Sequence, residues 1–175
     1  IAERRSTKPL EALLCLIPLS VAALRAPESL THIQAGLAAQ QIPCSCICLL
    51  FAETAASYDL EQTRLFIQAA QALGLKVAID EFGGWHISFN EIQTLRPDFL
   101  RIHRALTRNA ASSRSDMAIT KAVCEVAHDM QMQSIADDVH ELANLHLLRE
   151  CGVTFATGDA AGSLIELRTW ISGRM

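Results

Sequence analysis

Apolar residues fall along this chain in two alternating rhythms. Short, nearly continuous apolar runs occur at residues 13–17, 45–51, 77–79, 99–102, 133–135 and 153–156. Runs of that length without polar alternation read as strands buried on both faces. Between them, apolar residues recur at helical spacing. Over 60–73, Phe66, Ala69, Ala70 and Leu73 share one face, and Gly74 stands where a C-terminal cap belongs. Over 116–130 the stripe is Ile119, Ala122, Val123, Val126, Ala127 and Met130, with Asp116 as the expected N-cap. A third helix spans 141–150, buried through Leu142, Leu145 and Leu148, with Gly152 just beyond. A fourth spans 28–39 and is interrupted by Gly36. The polar stretch 109–115, with Arg114 and Ser115, reads as an exposed loop.

Strand–helix units repeating in this way predict a parallel sheet with helices outside it. A doubly wound sheet and a (β/α) barrel both satisfy the pattern. In either, chemistry belongs at the C-terminal ends of the strands. The stretch VAIDEF, 77–82, therefore matters most: an apolar strand delivers Asp80 and Glu81 to that end, and Gly83-Gly84 then turn the chain. Paired carboxylates in such a place hold divalent metal or do acid–base work.

Composition narrows the options. A chain of 175 residues, half of them hydrophobic, is enough for one domain with a real core, and no internal domain boundary is visible. The net charge of −4, without a basic run, argues against nucleic-acid binding through phosphate neutralisation. The apolar stretch 13–23 is too short for a membrane span and contains Pro18, so no membrane contact is expected from this segment. Ile1 is not an initiator Met, and the chain is expected to be a fragment of a longer protein. Cys44, Cys46 and Cys48 alternate and would share one face of a strand. Their spacing fits no common zinc pattern, so they are expected to be small buried hydrophobes, reduced in a cytoplasmic setting.

Order and spacing of five segments resemble the EAL domain, the cyclic di-GMP phosphodiesterase barrel of bacterial signalling. The family's DDFGTGYSSL is similar to DEFGGWHISF at 80–89. Its LPVDxLKID resembles LRPDFLRIH at 95–103. Its AEGVE resembles ADDVH at 136–140, and its GCDxxQGYxFxxP resembles GVTFATGDAAGSL at 152–164. Upstream, LEITES looks like LLFAET at 49–54, and VNLS like IPLS at 17–20. The resemblance implies a TIM-barrel-like α/β fold. The family's signature glutamate strand lies farther upstream. LEALL at 10–14 imitates it by letter, but Glu11 is read as chance or as the scar of a deletion, so the first barrel strands would be missing.

Carried over residue by residue, the resemblance implies a degenerate site. The metal-binding Glu of LEITES falls on Leu50 or its neighbour Phe51, and the Asn of VNLS on Pro18. The two Asp of DDF become Asp80 and Glu81. The Lys and Asp of KID become Arg101 and His103, and the Glu of AEG becomes Asp137. The Gln, Tyr and Phe of the last motif become Thr157, Asp159 and Ala161. Asp80, Glu81 and Asp137 are then vestigial carboxylates that hold no metal, and no cofactor is expected. A guanidinium stays protonated at neutral pH and is no general base, although it can clamp a phosphate.

The expected function is that of a catalytically inactive regulatory or protein-interaction module of cyclic di-GMP signalling, cytoplasmic, with a protein partner or a second copy of itself. Cyclic di-GMP binding is expected to be weak or absent. A non-hydrolysing cyclic di-GMP receptor, binding through Arg101, Asp80 and Trp85, is the alternative, and a weakly active metal-dependent phosphodiesterase a further one. His86 and His103 read as ordinary loop residues, and 101–104 as a solvated basic strand end. His32, His128, His140 and His146 are expected on helices facing solvent. A sheet lacking its first strands would expose edges beside 13–17 and 153–156. A homodimer, a partner protein or the segment 1–9 would then cover that opening.

Overall fold

Each of the six apolar runs forms a strand. The computed structural model describes residues 14–162, apart from Pro27, Trp85 and Asn109. The strands are β1 (Cys15–Pro18), β2 (Ile47–Ala52), β3 (Lys76–Phe82), β4 (Phe99–Ile102), β5 (Gln133–Ala136) and β6 (Phe155–Ala156). Helices α1 (Val21–Arg25) and α2 (Ser29–Ala39) join β1 to β2. Helices α3 (Glu53–Ser57) and α4 (Leu60–Ala72) join β2 to β3, and α5 (Phe89–Leu95) joins β3 to β4. Helices α6 (Arg104–Arg108) and α7 (Arg114–Asp129) lead to β5, and α8 (Leu142–Glu150) to β6.

The sheet order is β1-β2-β3-β4-β5-β6, and every pair is parallel. Each crossover steps one strand in the same direction. Right-handed crossovers then place all helices on one face, and the twisted sheet curls away from them. The result is a half-barrel, which decides between the two architectures left open by the periodicity.

Side-chain alternation divides the sheet into two faces. Ile47, Leu49, Phe51, Val77, Ile79, Leu100 and Ile102 point toward the helices and join Phe66, Ile67, Ala70, Val123 and Ala127 in the main core. The rings of Phe51 and Phe66 meet edge to face at 5.7 Å. Cys48, Leu50, Ala78, Phe99 and Ile135 point the other way and form a smaller cluster inside the half-barrel. Among the described residues β1 and β6 each have one strand neighbour, and Ile17 and Phe155 stay 40 % and 47 % exposed there. Glu11 and the segment 1–9 lie outside the described residues. No described helix is long and apolar enough to cross a membrane.

Several local expectations are corrected. Residues 44–46 form a 3₁₀ turn, not the start of a strand, so the three alternating thiols do not share a face. Cys44 packs against the main core while Cys48 lies in the inner cluster, where burial pushes its thiol pKa up to about 12. Helix α7 begins at Arg114, so Arg114 and Ser115 are helical. Its N-cap is Ser113, whose hydroxyl accepts from the backbone N–H of Asp116. The buried stripe of α4 runs through Thr63, Phe66, Ile67 and Ala70, leaving Ala69 outside. In α7, Thr120 and Cys124 are buried and Ala122 is not. In α8, Leu148 is buried but Leu142 is 64 % exposed. Gly74, at φ +83°, takes the left-handed conformation beyond α4 that its position requires.

Candidate functional site

The inward-facing parity of the strands leads to one cluster at their C-terminal ends. On β3 it passes through Ala78 to Asp80, on β4 through Phe99 to Arg101, and on β5 through Ile135 to Asp137 just beyond the strand. Arg101 Nη1 donates to both carboxylate oxygens of Asp80, at 2.9 and 3.0 Å. Its Nη2 donates to Asp137 Oδ1. The Thr157 hydroxyl, just past β6, donates to the same oxygen at 2.7 Å, and the Thr107 hydroxyl donates to the Asp137 carbonyl at 2.7 Å. The side chains of Asp80, Arg101 and Asp137 are 19 %, 21 % and 23 % exposed. One guanidinium thus bridges carboxylates from two neighbouring strands. One pleat below lie Leu50 and Ala78, and Leu50 is paired in register with Pro18.

The adjacent pair Asp80–Glu81 is split. The register of β3 against β4 shifts between Ile79 and Phe82, and Glu81 is the extra residue there, at φ +57°. Phe82 returns to the helix-facing side, where it meets Phe89 edge to face. Glu81 is exposed, and among the described residues its carboxylate has no hydrogen bond or ion pair. Only Asp80 enters the cluster.

A second carboxylate organises the loop that follows. Glu53, the first residue of α3, is 2 % exposed. Its Oε2 accepts from the backbone N–H of Gly84 at 2.8 Å, and its Oε1 from those of His86 and Ile87, each at 2.8 Å. The two glycines are needed for this approach. A Cβ on Gly83, at φ +105°, would come 2.9 Å from Leu106, and one on Gly84 would come 3.0 Å from Glu53 Oε2. Glu53 did not stand out in the sequence. Its signals are a single carboxylate placed directly after a buried apolar strand and the second Glu of LEITES, which falls on Glu53. Trp85 lies outside the described residues, so its part in the receptor alternative is not placed.

A third group joins the loops after β5 and β6. The Val139 N–H donates to the Thr157 carbonyl at 2.9 Å, and the Ala160 N–H to the Val139 carbonyl at 3.0 Å. A Cβ on Gly158 would fall 2.4 Å from that carbonyl oxygen. Arg108 on α6 pairs with Asp138 Oδ2. His140 stands between two carboxylates, with Nε2 2.6 Å from Asp138 Oδ1 and Nδ1 3.0 Å from Asp159 Oδ2. The hydrogen bond with Asp159, then that with Asp138, raises its pKa. His140 therefore lies in a loop and not on a helix. Asp137 and Asp138 do not cap α8, whose N-cap is Glu141 without a side-chain bond. His32, His128 and His146 are exposed on helices as expected, His86 is an exposed loop residue, and His103 Nδ1 accepts from the Ala105 N–H at the start of α6.

The family model of the EAL domain matches residues 1–163. The cyclic di-GMP phosphodiesterase PdeF of Escherichia coli is 26 % identical over 163 residues, 93 % of this chain and 21 % of that protein. The cyclic di-GMP phosphodiesterase PdeB of Shewanella oneidensis is 27 % identical over 69 % of this chain and 14 % of its own length. The chain spans less than a quarter of these relatives. Among solved structures, the PaMucR phosphodiesterase in complex with c-di-GMP superposes with a TM-score of 0.82 at 20 % identity, covering 89 % of this chain and 69 % of that one. The EAL domain of Mycobacterium smegmatis DcpA gives 0.79 at 24 % identity, covering 86 % and 67 %. At these identities the superpositions speak to the fold.

Proposed function

We propose that this chain, which belongs to the EAL domain family, is a module of cyclic di-GMP signalling that does not hydrolyse the dinucleotide and acts by contact with a protein. The observation that carries the reading is the position of Arg101. Phosphodiester hydrolysis with two metals needs several oxygen ligands around each cation. Here the inward carboxylates are Asp80 and Asp137, and one guanidinium already lies between them. Leu50 and Pro18 bring no side-chain oxygen to the neighbouring strands. These residues do not fit a pair of divalent cations, and a guanidinium cannot take a proton from water.

The same contacts weigh against a cyclic di-GMP receptor. Arg101 would have to leave two carboxylates to clamp a phosphate, and those carboxylates would repel the ligand. Contact with a protein is the role left to a cluster that fits neither hydrolysis nor clamping of the dinucleotide.

Calorimetry with cyclic di-GMP, with and without manganese, followed by a product assay on the same samples, tests the reading. The expected result is no product and no binding at micromolar ligand. Turnover that Asp80→Ala abolishes would overturn it. Submicromolar binding without turnover would replace it with the receptor reading.

A further inference from the structure

We infer that His140 is a proton-operated clasp that ties the loop after β5 to the loop after β6 at the mouth of the Asp80–Arg101–Asp137 cluster. The inference goes beyond the proposed function and holds whether or not the chain hydrolyses a ligand.

The geometry requires a proton on each ring nitrogen. Both nitrogens face carboxylate oxygens, Asp138 Oδ1 at 2.6 Å and Asp159 Oδ2 at 3.0 Å. A carboxylate only accepts, and a neutral imidazole has one N–H to donate. The imidazolium satisfies both contacts. After deprotonation one nitrogen lone pair faces a carboxylate, and one side of the bridge must open. The charges around the ring are Asp138, on its own loop, Asp159, on the loop opposite, and Arg108 on α6, which holds the other oxygen of Asp138. Asp137, paired with Arg101, and Glu141 flank the segment in sequence. Arg108 keeps Asp138 in place at any neutral pH, so the side that opens is Asp159. That side carries the loop 157–162.

Opening there reaches the cluster through a short path. Thr157 supplies a hydroxyl to Asp137 and a carbonyl to the Val139 N–H, and Ala160 returns a bond to Val139. The backbones of the two loops are in contact at Gly158, where no side chain fits. The clasp closes this seam from the solvent side. His140 carries a raised pKa, so the bridge is complete below the ordinary imidazole range and is lost as the pH rises through the raised value.

Nuclear magnetic resonance on the unmodified protein provides the test. The His140 ring protons are followed from acid to alkaline pH together with the amides of Val139, Thr157 and Ala160. The expected result is a His140 midpoint above the ordinary imidazole range, with the three amides moving at the same midpoint. In Asp159→Asn the midpoint falls toward the ordinary imidazole range. In His140→Gln the amides lose their titration. A His140 midpoint at or below the ordinary imidazole range, amides that do not follow it, or a midpoint unmoved by Asp159→Asn would each overturn the clasp.

Discussion

Two carboxylate sites a few residues from the strand ends solve the same electrostatic problem in opposite ways. Glu53 is almost fully buried and is satisfied by three backbone N–H groups of one loop. Asp80 and Asp137 keep about a fifth of their surface and share one guanidinium, helped by the Glu81 N–H on Asp80 and the Thr157 hydroxyl on Asp137. Backbone donors come from a segment that must adopt one shape to present them, so the Glu53 carboxylate fixes a loop. A guanidinium comes on a side chain and fixes charge instead. It offsets one of the two negative charges and fills the space between the carboxylates. The first site is architecture, and it fits any activity of the loop. The second decides what else can enter.

Substitutions at the two sites separate these roles, and the largest effect is expected at Glu53. Glu53→Ala leaves three N–H groups without their acceptor, two of them on part-buried backbone. It should lower stability by about 4 kcal/mol in urea unfolding, since each orphaned group costs roughly 1–3 kcal/mol. A loss under about 1 kcal/mol would mean that water replaces the carboxylate and that the loop does not depend on it.

Arg101→Met comes next, at about 2–3 kcal/mol. Removing one partner of a buried ion pair costs roughly 3–5 kcal/mol, and the partial exposure here reduces that. Adding Asp80→Asn to Arg101→Met should recover part of the loss, because one of the two stranded charges is then gone. No recovery would separate Asp80 from the cluster. Thr157→Val removes one hydroxyl donor to Asp137 and should cost about 1 kcal/mol. The smallest effect belongs to Lys76→Ala. Its ammonium, 2.8 Å from Asp98 but about half exposed, is the kind of ion pair worth roughly 0–1 kcal/mol. A larger loss there than at Arg101 would invert the ranking by burial.

The strands were legible because each is a short apolar run, and the parallel order followed from the helical stretches between them. The helices of five to seven residues, α1, α3, α5 and α6, were not, because fewer than two turns leave no measurable period. Helix faces were read one or two positions out of phase, as at Ala69 against Ile67, since alanine is acceptable on either side of a helix. The thiols of Cys44, Cys46 and Cys48 showed how a period of two misleads when a 3₁₀ turn sits within it. Asp80 stands out as a carboxylate at the end of an apolar run, and Arg101 and Asp137 through the family resemblance. Their joining was not visible, because it depends on the register of three strands and on the bulge that sends Glu81 elsewhere. Glu53 and its loop are 31 to 34 residues apart in sequence, and no local pattern links them.

The central claim is that Arg101 stands where a cation would otherwise be held, and manganese paramagnetic resonance addresses it without a substrate. The purified protein is titrated into a fixed concentration of manganese, and the free hexaaquo signal is followed. The account predicts that stoichiometric wild-type protein leaves the signal undiminished. Loss of one or two equivalents of free manganese, restored by Asp80→Ala, would contradict it.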